Sequence, residues 1–116
     1  MQLKVKVSIT NEEDDSFMGI GLVWLLERIK KYGSINQAAK DMKMSYVKAH
    51  KIIEKLEKNL GRKLLIKTIG GKNHGGAQLT PFAEKYISKY NSLQKRIKSY
   101  AEKEYDKFIM RVEDIT

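Results

Sequence analysis

The stretch that decides the fold runs from residue 34 to residue 61 and reads SINQAAKDMKMSYVKAHKIIEKLEKNLG. Gln37 follows Ser34 at the capping-box spacing, in which each side chain can satisfy a free backbone amide of the other at a helix start. This signal predicts a short helix over about 35–42. Its inward positions are small or apolar, namely Ile35, Ala38, Ala39 and Met42. The two alanines allow a neighbouring helix to approach closely.

A second helix of the same stretch follows after a short turn. Ser45 is a good N-cap for it, and Gly61 is suited to end it in a left-handed conformation. Apolar residues recur with the helical period along one face, at Ala49, Ile52, Ile53, Leu56 and Leu60. The opposite face is mostly charged. The stretch therefore predicts a helix-turn-helix over 34–60.

The residues before this stretch predict a hairpin and another helix. Residues 3–9 alternate apolar and polar side chains, which is the period of a half-buried strand. A polar, mostly acidic turn separates them from a second short strand over 17–21. We therefore expect an N-terminal hairpin over 3–21 and then a helix over 21–32. The helical spacing lies at Leu22, Leu25, Leu26 and Ile29, and Gly33 can end this helix.

The residues after the stretch predict a second hairpin and a long helix. An apolar run from 63 to 69 predicts a strand, and residues 77–80 can pair back onto it. The intervening loop, residues 70–76, holds four of the chain's eight glycines, which is typical of a flexible hairpin tip. Thr80 followed by Pro81 is a strong helix start. We expect that helix to run to about residue 112.

The composition indicates a polyanionic partner. Lys and Arg number 23 against 14 Asp and Glu, so the net charge is +9. Residues 45–80 hold eight of the basic residues and only two acids, which concentrates positive charge on the third helix and the hairpin after it. Such a field favours nucleic acid or an anionic surface. The absence of cysteine excludes disulfides, thiol nucleophiles and thiolate metal sites. No apolar run reaches the about 18 residues of a membrane span, so we expect a cytoplasmic protein with no membrane partner.

Three helices followed by a two-stranded hairpin is the element order of a winged helix-turn-helix. We therefore expect a mainly α fold with a small β component. The predicted division is a winged helix-turn-helix domain over 1–80, with its wing at 63–80, and a C-terminal dimerisation helix over 81–116. In this fold the third helix enters the major groove of DNA, and the hairpin lies over an adjacent groove or the backbone.

Candidate DNA contacts lie on the third helix, at two helix starts and on the wing. The side chains expected to face base edges are Tyr46, Val47, His50 and Lys51. Those expected nearer phosphates are Lys48 and Lys55 on the same helix, and Ser34 and Ser45, whose helix starts offer free amides. The wing residues expected on the DNA backbone are Arg62, Lys67 and Lys72. Glu54 could accept from cytosine or pair with Lys51 or Lys58.

Other functions fit these residues less well. A lysine-rich helix face is most often only solvated, and it is the hairpin region after it, with no acid over 61–80, that favours DNA binding. His50 and His74 lack the cysteines or paired carboxylates of a metal site. The glycine-rich loop lacks the spacing of a phosphate-binding loop. No catalytic arrangement or cofactor fingerprint is present in the sequence, so we expect neither an enzyme nor a bound cofactor or metal. The alternative is a non-specific nucleic-acid packaging or adaptor protein, which lacks the roughly 10³-fold preference of an operator binder.

Four short segments resemble the LysR-type helix-turn-helix. They read GSINQAAK at 33–40, MSY at 44–46, LEKNLGRKLL at 56–65 and LTP at 79–81. Within that family the chain is similar to the molybdate-responsive ModE branch, where a glycine-rich wing like GGKNHGGAQLT at 70–80 precedes the last helix. It departs from that branch at Asn73 and His74, where glycine is usual. The resemblance covers about residues 20–90 and implies sequence-specific transcriptional regulation by a dimer.

The same resemblance sets an expectation about ligands. ModE-type regulators carry C-terminal oxyanion-binding domains, and LysR-type regulators carry a large effector domain. Because this chain stops at Thr116, we expect a stand-alone DNA-binding module without the molybdate-binding domains. We accordingly expect no small-molecule effector.

The last helix carries the signal for a homodimer. Apolar residues recur at heptad spacing along its first half, at Tyr86, Tyr90, Leu93, Ile97 and Tyr100. A second register, shifted by one residue, follows at Ala101, Tyr105, Phe108, Val112 and Ile115. The first two turns can pack on the domain's own core. A helix of about 30 residues spans about 45 Å, so the rest would be exposed unless a second copy covers it.

Overall fold

The computed structural model describes residues 2–68 and 76–115 of the chain. Within these ranges four helices and two separate two-stranded antiparallel sheets form the fold. The elements are β1 (Ile9–Thr10), β2 (Ser16–Met18), α1 (Ile20–Tyr32), α2 (Ile35–Asp41), α3 (Tyr46–Leu60), β3 (Leu65–Thr68), β4 (Gly76–Leu79) and α4 (Pro81–Glu113). The predicted fold class, mainly α with a small β component in winged helix-turn-helix order, is confirmed.

The helices α2, α3 and α4 begin at the residues that their local signals predict. The predicted second strand over 17–21 is wrong in its last part, because α1 already begins at Ile20. Ser34 Oγ accepts from the backbone N–H of Gln37 at 3.2 Å, which is one half of the predicted capping box. Ser45 Oγ accepts from the N–H of Lys48 at 3.1 Å and caps α3 in the same way. Gly61 ends α3 at φ +66°, a left-handed conformation that a residue with a Cβ adopts only at a cost. The helix-turn-helix therefore has bounds that the sequence alone encodes.

One apolar core joins α1, α2, α3, the wing and the start of α4. The inward stripe predicted for α1 is buried, and Leu26 and Ile29 are completely enclosed. The two alanines of α2 are also fully buried, which is consistent with the close helix approach that small residues permit. From α3 the core receives Ala49, Ile53 and Leu56. The opposite face of α3 is thereby turned to solvent.

The N-terminal hairpin is shorter than the sequence predicts. Of the alternating segment 3–9, only Ile9 belongs to a strand. β1 consists of Ile9, which pairs with Met18, and Thr10, which pairs with Ser16. The reason is that α1 begins at Ile20, directly after β2, so no second strand extends alongside residues 3–8. The alternation still sorts the side chains, since Val5, Val7 and Ile9 are half-buried while their neighbours are exposed.

The wing is attached to the helical body by backbone hydrogen bonds. β3 pairs with β4 from Leu65 opposite Leu79 to Thr68 opposite Gly76. The N–H of Ala77 donates to the carbonyl of Gly33 at 2.9 Å, which ties β4 to the end of α1. The predicted loop tip at 70–76, apart from Gly76, lies outside the described residues. The described part of the wing thus has a fixed position beside the end of α1.

The long helix α4 belongs to the core only at its start. Ala83, Ile87 and Tyr90 are buried, and beyond Tyr90 every described residue of the helix is exposed or half-exposed. The chain measures 69 Å along its longest axis against 29 and 23 Å across. No helix in the described ranges is both long enough and apolar enough to cross a membrane.

Candidate nucleic-acid interface

The outer face of α3 presents both charged and uncharged groups to solvent. Tyr46 and Val47, in the first turn, are 46% and 59% exposed. Lys48 and Lys51 are exposed beside them. A lysine can donate to guanine acceptors or phosphates, and an apolar side chain such as Val47 can contact a thymine methyl group. This mixture is chemically suited to reading base edges.

The two serines predicted at helix starts both act as caps. The hydroxyls of Ser34 and Ser45 accept amide hydrogen bonds from their own helices, as described above. Between the two helices, Lys43 adopts φ +56° and lets the chain turn sharply from α2 into α3. The cap at Ser45 holds the first turn of α3, where Tyr46 and Val47 lie. The serines therefore support the exposed end of α3.

His50 connects α3 to the wing. The Lys67 ammonium donates to His50 Nε2 at 3.0 Å, and because an ammonium can only donate, the ring proton of neutral His50 sits on Nδ1. That nitrogen lies 3.6 Å from Glu54 Oε1. The ring also stacks with Tyr46 at a centroid separation of 5.8 Å. His50 is thus half-buried among three neighbours, and Glu54 lies beside it, not in a pair with Lys51 or Lys58.

Lys55 is engaged by a residue that the sequence did not single out. Its Nζ lies 2.6 Å from Asp15 Oδ1, in the turn between β1 and β2. The two residues are 40 positions apart, and no sequence pattern marks them as neighbours. Lys48, Lys51 and Lys55 line one shallow groove on α3, so the carboxylate of Asp15 sits at one end of a row of three lysines.

The remaining predicted wing contacts lie elsewhere. The Arg62 guanidinium is 4.3 Å from the centre of the Phe82 ring, an attractive cation–π arrangement at the start of α4. Arg62 follows the C-terminal end of α3, about 22 Å along that helix from Ser45. The structure therefore does not bring Arg62 together with the exposed first turn of α3. Lys72 lies outside the described residues.

The wing base has one more contact that sequence reasoning missed. Glu57 Oε2 accepts from the backbone N–H of Leu64 at 2.8 Å, which fixes the entry of the wing against α3. A glutamate in a helix followed by a strand carries no sequence signal for this bond. The described residues contain no group of three His, Asp or Glu side chains that could hold a metal ion. Within those residues the chemistry available at this surface is that of lysines, a histidine, exposed uncharged side chains and the carboxylates of Glu54 and Asp15.

Comparison with known proteins identifies the family. Residues 22–84 match the family described as bacterial regulatory helix-turn-helix protein, lysR family. The transcriptional regulator ModE of Haemophilus influenzae is 45% identical over 73 residues, which cover 63% of this chain and 29% of that protein. The molybdenum transport protein ModE of Azotobacter vinelandii is 36% identical over 70 residues, covering 60% of this chain and 26% of that protein. The matched part thus spans less than a third of these relatives.

A solved structure has the same fold. The crystal structure of a complex between the CbnR DNA-binding domain and DNA aligns with a TM-score of 0.52 and 20% sequence identity, covering 82% of this chain and 99% of that one. At this identity the likeness concerns the fold alone. The family match, in contrast, covers more than half of the sequence and includes every helix of the helix-turn-helix. This chain therefore belongs to the lysR family of bacterial regulatory helix-turn-helix proteins.

Proposed function

We propose that the chain is a transcriptional regulator that binds double-stranded DNA in a sequence-dependent way, with α3 in the major groove. The observation that carries the proposal is the first turn of α3, where exposed Tyr46 and Val47 stand beside exposed Lys48 and Lys51. Together these side chains offer a base edge both apolar contacts and hydrogen-bond donors. The relatives named as transcriptional regulators and the DNA complex of the CbnR domain support the same reading. A regulator of this kind meets its DNA in the cytoplasm, where we expect it.

The predicted contact residues other than Ser34, Ser45 and Lys72 each receive a part in this proposal. Tyr46, Val47 and Lys51 face base edges, and Lys48 contacts phosphate. Lys67 contacts the DNA backbone from the wing. His50 has a supporting part, because its Nε2 already accepts from Lys67. Lys55 and Arg62 are held by Asp15 and Phe82, and the proposal assigns them no direct base contact.

The test starts from DNA selected by the protein itself. A randomised duplex library is enriched with the wild-type chain, and binding to the enriched duplex is compared with binding to random-sequence duplex. Lys51→Ala should cost about 1–3 kcal/mol on the enriched duplex and relax selection at one position. Lys103→Ala, on the exposed part of α4, removes the same charge as a matched control and should change little. Wild-type-like binding by Lys51→Ala would refute the docking of α3. A library that yields no preferred sequence would favour the packaging alternative.

We also propose that the protein is a homodimer joined through α4. Apolar residues of the exposed half lie on the same side of α4 as the buried Ala83, Ile87 and Tyr90. The two predicted registers differ by one residue. On a straight helix this shift produces an 11-residue repeat, as in Tyr90, Ala101 and Val112. Such a repeat gives 3.67 residues per turn and keeps one stripe on one side. The exposed members of the stripe are Leu93, Ile97, Tyr100, Phe108, Val112 and Ile115.

Charge favours a second copy in the antiparallel orientation as the occupant of this stripe. Residues 95–98 hold Lys95, Arg96 and Lys98 and no acid, whereas residues 102–106 hold three acids (Glu102, Glu104 and Asp106) against one base (Lys103). Two copies that cross near Ala101 in opposite directions bring the basic segment of each against the acidic segment of the other. The small side chain of Ala101 permits close approach at that crossing. A two-fold pair also supplies two recognition helices for a palindromic site.

Two matched substitutions test the dimer. Phe108 and Met110 are both well exposed, at 57% and 66%, but only Phe108 lies on the stripe. Light scattering at micromolar concentration should give a dimer mass for the wild type and for Met110→Lys, and a monomer for Phe108→Lys. Because the chain has no cysteine, Ala101→Cys should cross-link to itself under oxidation, while Leu93→Cys should not in the antiparallel pair. A monodisperse wild-type monomer would refute the dimer, and efficient cross-linking of Leu93→Cys would refute its orientation.

We further propose that DNA binding by these residues is independent of molybdate. The elements assigned to DNA are held by contacts inside the fold, such as the Ser45 cap and the bond between Lys67 and His50. An oxyanion is not needed to arrange them. Adding molybdate or tungstate should leave the affinity for the enriched duplex unchanged. A saturable change at micromolar oxyanion would contradict this.

A further inference from the structure

The turn between β1 and β2 is acidic and internally fixed. It contains all four acids of the first 20 residues, at Glu12, Glu13, Asp14 and Asp15. Asn11 Oδ1 accepts the backbone N–H groups of Glu13 and Asp15, both at 3.0 Å. The N–H of Asn11 donates to the carbonyl of Asp15 at 3.0 Å and closes the turn from the other side. The carboxylate of Asp15 therefore projects from a defined backbone position.

This turn meets α3 at Lys55. The ammonium of Lys55 lies 2.6 Å from Asp15 Oδ1, and both side chains are about half exposed. Lys55 is the third lysine of the row that begins with Lys48 and Lys51. A duplex lying along this row would meet two ammonium groups that form no ion pair with the described residues, and then a third that Asp15 neutralises. The row of lysines on α3 thus ends at the carboxylate of Asp15, which the N-terminal hairpin supplies.

Resting on the proposed function, we propose that Asp15 is a specificity-determining residue, because it withholds Lys55 from sequence-independent contact with phosphates. Non-specific binding depends almost entirely on lysine and arginine contacts to phosphates. Each such contact makes the slope of log K against log salt concentration more negative by about 0.9. Lys55 lies about 13 Å along α3 from the exposed first turn. When Tyr46, Val47 and Lys51 meet base edges, Lys55 lies one turn beyond Lys51, about 6 Å along α3. Because Asp15 already holds its ammonium, Lys55 then adds little to specific binding. When the protein shifts along random DNA, a free Lys55 can find a phosphate, and Asp15 prevents this.

The same pairing has only a small effect on the fold. A half-exposed ion pair contributes little to stability, so removing it leaves the domain folded. The carbonyl and amide of residue 15 that close the turn remain when only the carboxylate is replaced. Asp15→Asn is therefore a change in charge at one end of the lysine row and not a disruption of the hairpin.

The experiment compares two duplexes and two charge-matched variants. The probes are a random-sequence duplex and the duplex that wild-type protein enriches from a randomised library, with salt varied between about 50 and 200 mM. Asp15→Asn should tighten binding to the random duplex about two- to fivefold and steepen its salt slope by about 0.9, while binding to the enriched duplex changes less than twofold. Glu27→Gln makes the same change in net charge on the exposed face of α1 and should alter neither. Adding Lys55→Ala to Asp15→Asn should abolish the gain on random DNA.

Each outcome decides the matter. If Asp15→Asn binds both duplexes more tightly to the same extent, the role of Asp15 in specificity is overturned. The same holds if its higher affinity for random DNA persists after Lys55→Ala is added. A wild-type chain that binds neither duplex overturns the proposed function itself. If the wild type shows a clear sequence preference and Asp15→Asn binds the random duplex with the same affinity and salt slope as the wild type, only the inference drawn from the turn is overturned.

Discussion

Replacing Tyr90 with phenylalanine tests how the N-terminal segment is attached to α4. The Tyr90 hydroxyl donates to the carbonyl of Val7 at 2.7 Å, across 83 positions of sequence. Tyr90 is also the last residue of α4 that the core buries. The bond therefore lies where the helix leaves the body, and it helps to set the direction in which the exposed half points. Tyr86, one turn earlier on the same helix, offers a matched control.

The two tyrosines have opposite hydrogen-bonding states. The buried Tyr86 hydroxyl finds no partner among the described residues. A net intramolecular hydrogen bond contributes about 1 kcal/mol, and a buried polar group without a partner costs about 1–3 kcal/mol. Tyr90→Phe should therefore lower the free energy of unfolding by about 1 kcal/mol, because it also strands the Val7 carbonyl. Tyr86→Phe should raise the free energy of unfolding by about 1 kcal/mol, because it removes an unpaired hydroxyl.

Urea unfolding followed by circular dichroism measures both changes at one fixed protein concentration, since dimerisation makes stability concentration-dependent. In a thermal scan the loss for Tyr90→Phe corresponds to about 4 °C. The sign of the difference between the variants is the decisive result. If both substitutions lower stability equally, or if Tyr86→Phe is the more damaging, the hydroxyls do not have the roles assigned to them here.

Three further outcomes are expected from local features. Ser45→Ala should lower the free energy of unfolding by about 1 kcal/mol in urea titrations, and Ser45→Thr should restore most of it, because a hydroxyl acceptor caps α3. Gly33→Ala should cost about 1 kcal/mol, because the residue has φ +66°, whereas Gly21→Ala inside α1 meets open space and should stabilise by about 0.5 kcal/mol; the same titrations measure both. Burial raises the pKa of both Tyr86 and Tyr90 above the ordinary value of 10.0, so the folded state holds their protons longer. Stability should be unaffected by these groups below pH 10 and should fall as the pH rises above it, with a smaller fall in the double phenylalanine variant.

Local signals account for the elements that the sequence predicted well. The bounds of α3 follow from Ser45 and Gly61, which act within one helical turn of the ends they define. The start of α4 at Pro81 follows from its own cap in the same way, since Thr80 Oγ1 accepts from the N–H of Ala83. These effects need no distant partner. They can therefore be inferred from spacing alone.

The N-terminal strand shows where local information ends. Residues 3–9 have the alternation of a strand, and Val5, Val7 and Ile9 are more buried than their polar neighbours, although Leu3 is exposed. A strand also needs a neighbour to accept and donate its backbone hydrogen bonds. Whether that neighbour exists depends on where β2 stops and α1 begins. The alternation of side chains can be seen in the sequence, whereas the presence of a neighbouring strand depends on how the chain packs.

The candidate site divides in the same way. The sequence by itself determined which side chains point outward from α3, because the buried positions Ala49, Ile53 and Leu56 fix the rotation of the helix and the 3.6-residue period does the rest. Only the tertiary structure decided what those side chains meet. His50 contacts Lys67 across 17 positions and Lys55 contacts Asp15 across 40, because the wing and the N-terminal hairpin pack along different sides of α3. Periodicity determines the direction in which a side chain points. The residue that it contacts belongs to whichever element packs beside it in the folded protein.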